Sequence, residues 1–383
     1  MKRLGIIFLL LYSFANAEFE ISNFIGIEYK SYIKKQNKKD SYNLGLTYQN
    51  EMKYFFEDTK IYSKIEVLKD LNDKKRDYLH IDELYYSKSF DSFDFDIGKK
   101  TIFLGTLEAN NLVDIFNRQN YQKDSLSNYK NGSIMANVNY FMEDDSILRF
   151  YIKAFEEDIK MPSKNSVYYP FTNKEYSEHI DFSNKKETPS ILTTYTKSYD
   201  EDISADVSFG FFYGYDNNII FKDNSQFLNP YLFLSSKLLT YNTFVIDSTL
   251  YKIEGSYTKT NDKEKIRIDD FYQLGVGLEY TFEQIYKNHN LGLITEYYKS
   301  DNHNISFDND LFLALRYTLN DSASSEFLAA YVQDIKKDDN SVYMKYNGRL
   351  TDNLNISTDL RYIKSSTYID EHLRFGCEIK YYF

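Results

Sequence analysis

The stretch that decides the fold is Leu373-Arg374-Phe375-Gly376-Cys377-Glu378-Ile379-Lys380-Tyr381-Tyr382-Phe383. Apolar or aromatic side chains occupy every second position from Leu373 to Phe383, and Arg374, Glu378 and Lys380 stand between them. Successive side chains of a β-strand point to opposite faces, so this period of two predicts a strand with one apolar and one polar face. Its eleven residues match the length of a tilted strand that crosses a membrane.

The same segment resembles the last strand of outer-membrane β-barrels, which the barrel-assembly machinery recognises. The resemblance implies that this machinery is a partner and that it reads the aromatic Phe383. The alternative is an amphipathic strand of an ordinary β-sandwich, and the other end of the chain argues against it.

The first residues have the features of a secretory signal peptide. Lys2 and Arg3 are basic, residues 4–14 are apolar, and Ala15-Asn16-Ala17 forms a cleavage site. The alternative is an N-terminal membrane anchor, but the apolar stretch is too short to cross ~30 Å of hydrocarbon as a helix. We therefore expect a signal peptide at 1–17 and a single barrel domain at 18–383.

Alternating segments recur along the whole chain, for example at 42–48, 272–282, 310–319 and 354–363. They predict an all-β fold, a transmembrane antiparallel β-barrel of about 18 strands, with 16 as the second choice. The least certain part is 227–258, which we divide into strands 229–240 and 242–258, although Pro230 leaves a different division open. Short and long connections alternate, as expected for short periplasmic turns and long external loops.

The composition agrees with a barrel in a membrane. The chain has 38 Tyr and 30 Phe but no Trp, and 27% of its residues are charged. Aromatic girdles and a polar lumen require both classes of residue. Without Lys2 and Arg3 the count is 44 basic against 57 acidic residues, a formal charge of −13. This negative charge argues against nucleic-acid binding and mildly favours a surface that concentrates cations.

Two predicted external loops are too long to be simple connections. Residues 106–132 include apolar side chains that do not suit a solvated loop, so we expect this loop to fold inward against the barrel wall. A loop folded over the rim is the alternative. Residues 156–189 carry three of the four prolines together with aromatic residues, which indicates an ordered lid or plug.

Residues 83–118 resemble a strand pair and loop of porin-like families, including phosphate-selective and alginate-export barrels. The matching strand residues are 83–86, 93–100 and 104–105, although Lys100 replaces the usual Gln and Leu104 the usual Trp. The loop pattern is matched by Asn111, Asp114, Phe116, Asn117 and Arg118. The resemblance implies a barrel channel. With Glu108, these residues form the candidate constriction loop.

Basic residues fall on the polar faces of the last strands. We predict that five of them line the pore: Arg316, Lys345, Arg349, Arg361 and Arg374. Arg349, Arg361 and Arg374 would form one basic patch if they lie at the same level along the barrel axis. Asp114 or Glu108 from the loop would face this patch. Opposed charges across a constriction orient polar solutes. Paired lumen charges without a role in selectivity are the alternative.

No catalytic, metal or cofactor site is predicted, because the five histidines are scattered and no nucleophile motif is present. We expect an outer-membrane, porin-like channel for passive diffusion of small hydrophilic solutes and ions. The alternatives are a barrel with an adhesive or envelope-structural role, or a dedicated exporter of a polymer. Outer-membrane lipid and lipopolysaccharide are the expected surroundings, and association into a homo-oligomer stays open.

Overall fold

The alternating segments form strands, as the period of two predicts. The structure is a computed structural model that describes residues 18–34, 40–171, 174–200, 203–224, 227–261, 268–303, 305–365 and 371–383. The predicted signal peptide at 1–17 lies outside the described residues. The one helix among them is a short 3-10 turn, Lys74–Arg76. In this part of the chain no helix is long and apolar enough to span a membrane.

Eighteen strands form one antiparallel sheet, which confirms the predicted fold class and strand number. They are β1 (Glu18–Lys34), β2 (Tyr42–Phe56), β3 (Thr59–Asp70), β4 (Tyr78–Ser89), β5 (Phe93–Lys100), β6 (Ser133–Phe141), β7 (Ile147–Lys153), β10 (Ser190–Asp200), β11 (Ser204–Tyr215), β14 (Leu234–Ile246), β15 (Thr249–Thr260), β16 (Phe271–Tyr286), β17 (His289–Ser300), β18 (Asn309–Thr318), β19 (Glu326–Asp334), β20 (Asn340–Thr351), β21 (Leu354–Lys364) and β22 (His372–Tyr382).

The sheet closes into a barrel because β1 pairs with β22 as well as with β2. The closing register runs from the pair Phe24 and Tyr382 to the pair Lys34 and Leu373. A closed barrel leaves no free sheet edge, and this is the condition for crossing a membrane with strands.

The two ends of the barrel differ. Short turns such as 57–58, 247–248, 287–288 and 352–353 join strands at one end, which we call the turn end. Longer segments, including 71–77, 101–132, 154–189 and 216–233, connect strands at the other end, which we call the loop end. The alternation of short and long connections therefore follows the pattern of membrane barrels.

The two faces of the wall also differ. Outward apolar side chains such as Ile27, Leu46, Leu274 and Leu315 stay 44–49% exposed, as expected for a surface that meets lipid. Many inward side chains are polar, and Thr47, Glu66 and Lys237 are buried inside the barrel.

Four short strands form a second, smaller sheet at the loop end: β8 (Glu175–Tyr176), β9 (Asp181–Phe182), β12 (Ile220–Asn224) and β13 (Phe227–Leu232). β12 and β13 form a hairpin, and β8 and β9 lie parallel to β13. Buried apolar residues hold this sheet to the barrel, among them Tyr176, Tyr215, Leu228 and Leu232. We call it the cap.

The predicted division of 227–258 is wrong. β13 belongs to the cap, and the next two barrel strands turn at 247–248 rather than at 241. The run from Tyr231 to Leu234 is buried at every position, so it carries no alternation that could reveal where the cap ends. Pro230, which lacks an N–H, lies in the gap between the pairing of β13 with β8 and its pairing with β9.

Candidate functional site in the barrel lumen

The segment between β5 and β6 enters the barrel. We call residues 101–132 the crossing segment. Its ends are adjacent, because Lys100 pairs directly with Ser133. Between them the chain leaves the wall, and Val113 and Phe116 have no exposed surface. The crossing segment starts earlier than the predicted loop, since β5 ends at Lys100.

Apolar side chains attach the crossing segment to two parts of the wall. Its Ile102, Leu104, Val113, Ile115 and Phe116 pack on side chains from five consecutive barrel strands: Met135, Tyr151, Leu192, Phe212 and Leu239. Its Leu107 and Leu112 pack on a second group, which includes Ile294, Tyr298, Phe312 and Ala314. These contacts account for the apolar residues that stand out in the loop sequence.

Asn117 holds the base of the crossing segment. Its Oδ1 accepts from the backbone N–H of Ile102 (2.8 Å), and its Nδ2 donates to the carbonyl oxygens of Lys100 and Asn131 (3.1 Å each). Asn111 caps a turn by accepting from the backbone N–H of Asp114 (3.1 Å). Asn111 and Asn117 therefore shape the segment.

Two charged residues of the predicted constriction loop, Arg118 and Asp114, also stabilise the segment. Arg118 donates to Glu156 (2.6 Å), and Lys153 also contacts Glu156 (2.5 Å); all three side chains are almost fully buried. Asp114 is buried against Lys130. The expectation that Asp114 faces a basic filter is therefore wrong.

Glu108 is the predicted loop residue that faces open space, with 40% of its side chain exposed. It lies 3.3 Å from Arg316 and 3.6 Å from Lys252. Glu279 pairs with the same two cations, at 3.1 Å and 2.9 Å. Two carboxylates and two cations from the crossing segment and the wall thus form one network.

The second half of the crossing segment reaches the opposite wall. Asp124 forms ion pairs with Lys30 and with Arg374, and Arg361 donates to the carbonyl of Leu126. Burial opposes ionisation of Asp124, but the nearby Arg374 and Lys30 outweigh it and hold the pKa of this carboxyl well below its usual range. The crossing segment is therefore fixed to both sides of the lumen.

A second loop reinforces this side. The Arg76 guanidinium lies 3.3 Å from the ring centre of Tyr168 and donates to Glu28 (2.7 Å) and to the carbonyl of Lys123 (2.9 Å). Arg76 has no exposed surface. Since Tyr168 belongs to the segment at 154–189, three loops meet at this cation.

The five predicted pore-lining cations occupy three different environments. Arg316, Lys345 and Arg361 line the main cavity of the lumen. Arg374 is 1% exposed and forms an ion pair with Asp124. Arg349 is exposed near the turn end and donates to Ser322 and Ser324, at 3.1 Å and 3.0 Å.

The three arginines do not form one patch. Arg361 and Arg374 are direct cross-strand neighbours, whereas Arg349 pairs with Asn355. Six residues of β21 separate Asn355 from Arg361, which is about 20 Å at ~3.3 Å per residue. The alternation of the sequence identifies the inward face of each strand, but it carries no information about the level of a residue along the barrel axis.

The open part of the lumen is a cavity of about 790 Å³ between the crossing segment and the wall from β17 to β1. Its charged lining consists of five basic and five acidic residues: Lys30, Lys123, Arg316, Lys345, Arg361, Glu28, Glu108, Asp124, Asp359 and Glu378. The charges of this lining balance formally, so it suits the orientation of polar solutes better than the exclusion of one sign.

One side of the cavity is apolar, which the sequence analysis missed. Ile294, Phe312, Leu328, Ala330 and Val332 line it. The signal was present as apolar residues on the inward positions of β18 and β19, but only the pairing of Phe312 with Val332 and of Arg316 with Leu328 brings them together.

Three acidic side chains, Asp308, Asp310 and Asp334, place ligand oxygens within 4.8 Å of one another at the loop end. Lys337 lies 3.1 Å from Asp308 and 3.6 Å from Asp334, so an ammonium group already compensates part of this charge. All three residues are buried, and the cluster does not by itself make a metal centre.

No protein-family model and no curated protein matches the sequence. Solved structures do match. OccAB4 of Acinetobacter baumannii has a TM-score of 0.59 at 11% identity, with 96% of this chain and 98% of that chain covered. OccK3 (OpdO) of Pseudomonas aeruginosa has a TM-score of 0.59 at 10% identity, over 98% and 99%.

A BenF-like porin from Pseudomonas fluorescens Pf-5 has a TM-score of 0.58 at 6% identity, covering 96% of this chain and 99% of that chain. At these identities the likeness concerns the fold. The phosphate-selective or alginate-export subtype to which residues 83–118 are similar stays a prediction. The closed barrel of eighteen strands, with a segment that crosses its lumen, has the fold of bacterial outer-membrane porins.

Proposed function

We propose that the protein is an outer-membrane channel through which small hydrophilic solutes and ions diffuse passively. The observation that carries this proposal is the water-accessible cavity beside the crossing segment, which charged side chains of both signs line. The fold implies the outer membrane as the location, with the loop end outside. Lipid and lipopolysaccharide would then surround the barrel.

The narrowest selective part is proposed to lie beside the ion pair of Glu108 with Arg316, where Lys345 adds a second cation on the wall. Arg316 pairs with Leu328, Leu328 with Lys345, and Lys345 with Asp359, so these residues form one row across β18 to β21. Adjacent strands are ~4.8 Å apart, which places the two cations about 10 Å from each other. A solute that passes Glu108 therefore meets both signs of charge.

Single-channel recording of the purified protein in a lipid bilayer tests this function. We expect discrete conductance steps in the wild type and a larger conductance after deletion of 108–120. No conductance in correctly folded wild-type protein would contradict the proposal and favour the adhesive or envelope-structural role. Unchanged conductance after the deletion would place the constriction elsewhere, with 154–189 as the next candidate.

The charge filter has its own test. Replacement of Arg316 and Lys345 by Gln removes two of the five cations that line the cavity, so the reversal potential in a salt gradient should shift toward cation preference. Arg349→Gln is the matched control, because Arg349 lies near the turn end. An equal shift in the control would show that general charge, rather than the proposed filter, sets ion preference.

A further inference from the structure

Residues 106–112 of the crossing segment contact a patch of the wall that the proposed filter does not include. The patch consists of six inward residues on three adjacent strands: Lys252, Glu254, Gly275, Gly277, Glu296 and Tyr298. The pairing makes it continuous, because Gly275 lies between Glu254 and Tyr298, and Gly277 lies between Lys252 and Glu296. We call it the docking patch.

Two carboxylates of the docking patch bind backbone N–H groups. Glu254 accepts from the N–H groups of Thr106, Leu107 (2.9 Å) and Leu112 (2.8 Å). Both side-chain oxygens of Glu254 are used in this way, and the residue has no exposed surface. The buried carboxylate of Glu254 is therefore stabilised mainly by three backbone N–H groups of residues 106–112.

Glu296 continues the same arrangement. It accepts from the N–H groups of Glu108 (2.8 Å) and Ala109 (3.0 Å), and from the hydroxyl of Tyr298 (2.6 Å). The Tyr298 hydroxyl accepts in turn from the N–H of Asn110 (3.0 Å). Among the described residues, no lysine or arginine forms an ion pair with Glu254 or Glu296, so amide groups are their main polar partners.

The two glycines make room for Leu107. A Cβ atom at position 275 would lie 2.4 Å from Leu107 Cδ1, and one at position 277 would lie 3.0 Å from Leu107 Cδ2. Leu107 is 5% exposed. The absence of side chains at Gly275 and Gly277 therefore forms a recess that fits this leucine.

We propose that the docking patch is a latch for residues 106–112 and that it positions Glu108 opposite the cations of the filter. Glu254, Glu296, Gly275 and Gly277 are then positioning residues for the channel, because they act on a solute only through the segment that they hold. When the segment is undocked, Leu107 leaves the recess and Glu108 leaves its place beside Arg316, which widens the passage. The gating part of this inference rests on the proposed channel function.

Two variants test the latch from its two sides. The first is the double variant Glu254→Gln and Glu296→Gln, which places an amide NH₂ where each carboxylate accepts hydrogen bonds from backbone N–H groups. Leu107→Ser removes the side chain that fills the recess and leaves the wall unchanged. We expect amide hydrogen exchange of residues 106–112 to become at least about tenfold faster in both variants. The first variant loses hydrogen bonds to charged groups, which are the stronger class, and the second loses the burial of Leu107.

Single-channel conductance of the same two variants should rise and fluctuate more than in the wild type. Glu378→Gln is the matched control, because Glu378 also lines the lumen but binds no backbone N–H of the crossing segment. Its exchange at 106–112 should equal that of the wild type. Migration of the unheated protein on denaturing gels checks that each variant is folded.

Unchanged exchange at 106–112 in both folded variants would overturn the latch. Faster exchange with wild-type conductance would overturn its role in positioning the constriction. Absence of conductance in the wild type would instead overturn the channel proposal and with it the gating role, and the exchange data would still decide whether the docking patch holds the segment.

Discussion

Asp124 is the residue at which distant parts of the chain meet. Its carboxylate pairs with Lys30 of β1 and Arg374 of β22, and both side chains are largely buried. Removal of one partner from a buried charge group leaves the others uncompensated, and this typically costs roughly 3–5 kcal/mol. Asp124→Asn should lower the free energy of unfolding in lipid vesicles by about this amount at pH 7.

The same carboxylate predicts a pH dependence. Its pKa in the folded state lies below the value of about 3.9 in an unfolded chain, so its stabilising contribution is complete above that pH and is lost as the pH falls toward the folded-state pKa. The difference in unfolding free energy between wild type and Asp124→Asn should therefore shrink by about 1 kcal/mol between pH 7 and pH 3. A difference that does not change with pH would contradict the assignment.

Cys377 tests the register of β22. Residue 377 borders the cavity, but side chains alternate along β22 and that of Arg374 is buried inside the barrel, so the Cys377 side chain should point to the lipid face. A water-soluble thiol reagent should label Cys377 slowly in the folded barrel and rapidly after denaturation. The control is Ser357→Cys in a Cys377→Ser background, because Ser357 lines the cavity and should react rapidly. Rapid labelling of native Cys377 would mean a shift of one residue, which exchanges the two faces of the strand.

At the scale of elements, the sequence predicts the strands well and the loops only in part. The period of two is a local property, so it identifies β16, β18 and β22 directly. The apolar residues of 106–132 indicate contact with a wall, but the partners Glu254 and Glu296 lie far away in sequence and follow only from the fold. The sequence places most of β13 in a barrel strand because residues 231–234, where the cap meets β14, are buried at every position and show no alternation.

The cap should lose its structure without loss of the barrel. Leu228 of β13 has no exposed surface and packs among the apolar residues of the cap. A buried Leu→Ala substitution typically costs roughly 2–5 kcal/mol, and here the cost should fall on the cap alone. Limited proteolysis of the purified Leu228→Ala protein should cut within 174–189 or 216–224 and leave the barrel strands intact.

The control for this experiment is Leu238→Ala on the outer face of β14, where the side chain is 60% exposed. Its proteolysis pattern should match that of the wild type. If Leu228→Ala unfolds the whole barrel instead, the cap is an integral part of the barrel core and does not behave as a separate unit.

At the scale of the whole molecule, the difference between the two ends defines an orientation. An epitope inserted after Asp338, in the connection between β19 and β20 at the loop end, should be reached by antibody on intact cells. The same epitope inserted after Asp144, between β6 and β7 at the turn end, should be reached only after the outer membrane is permeabilised. Binding in the opposite order would mean that the barrel is inverted.

The pairing of β1 with β22 predicts which step of assembly comes last. Phe24 and Tyr382 are neighbours in the wall, although almost the whole described chain lies between them. Contacts over such a separation are slow to form, because the intervening chain must first be ordered. Until this seam closes, β1 and β22 both present unpaired backbone groups, which are templates for aggregation. We therefore expect closure of this seam to be the slowest step of assembly and the one most exposed to aggregation, and loss of β22 would leave β1 and β21 as permanently free edges.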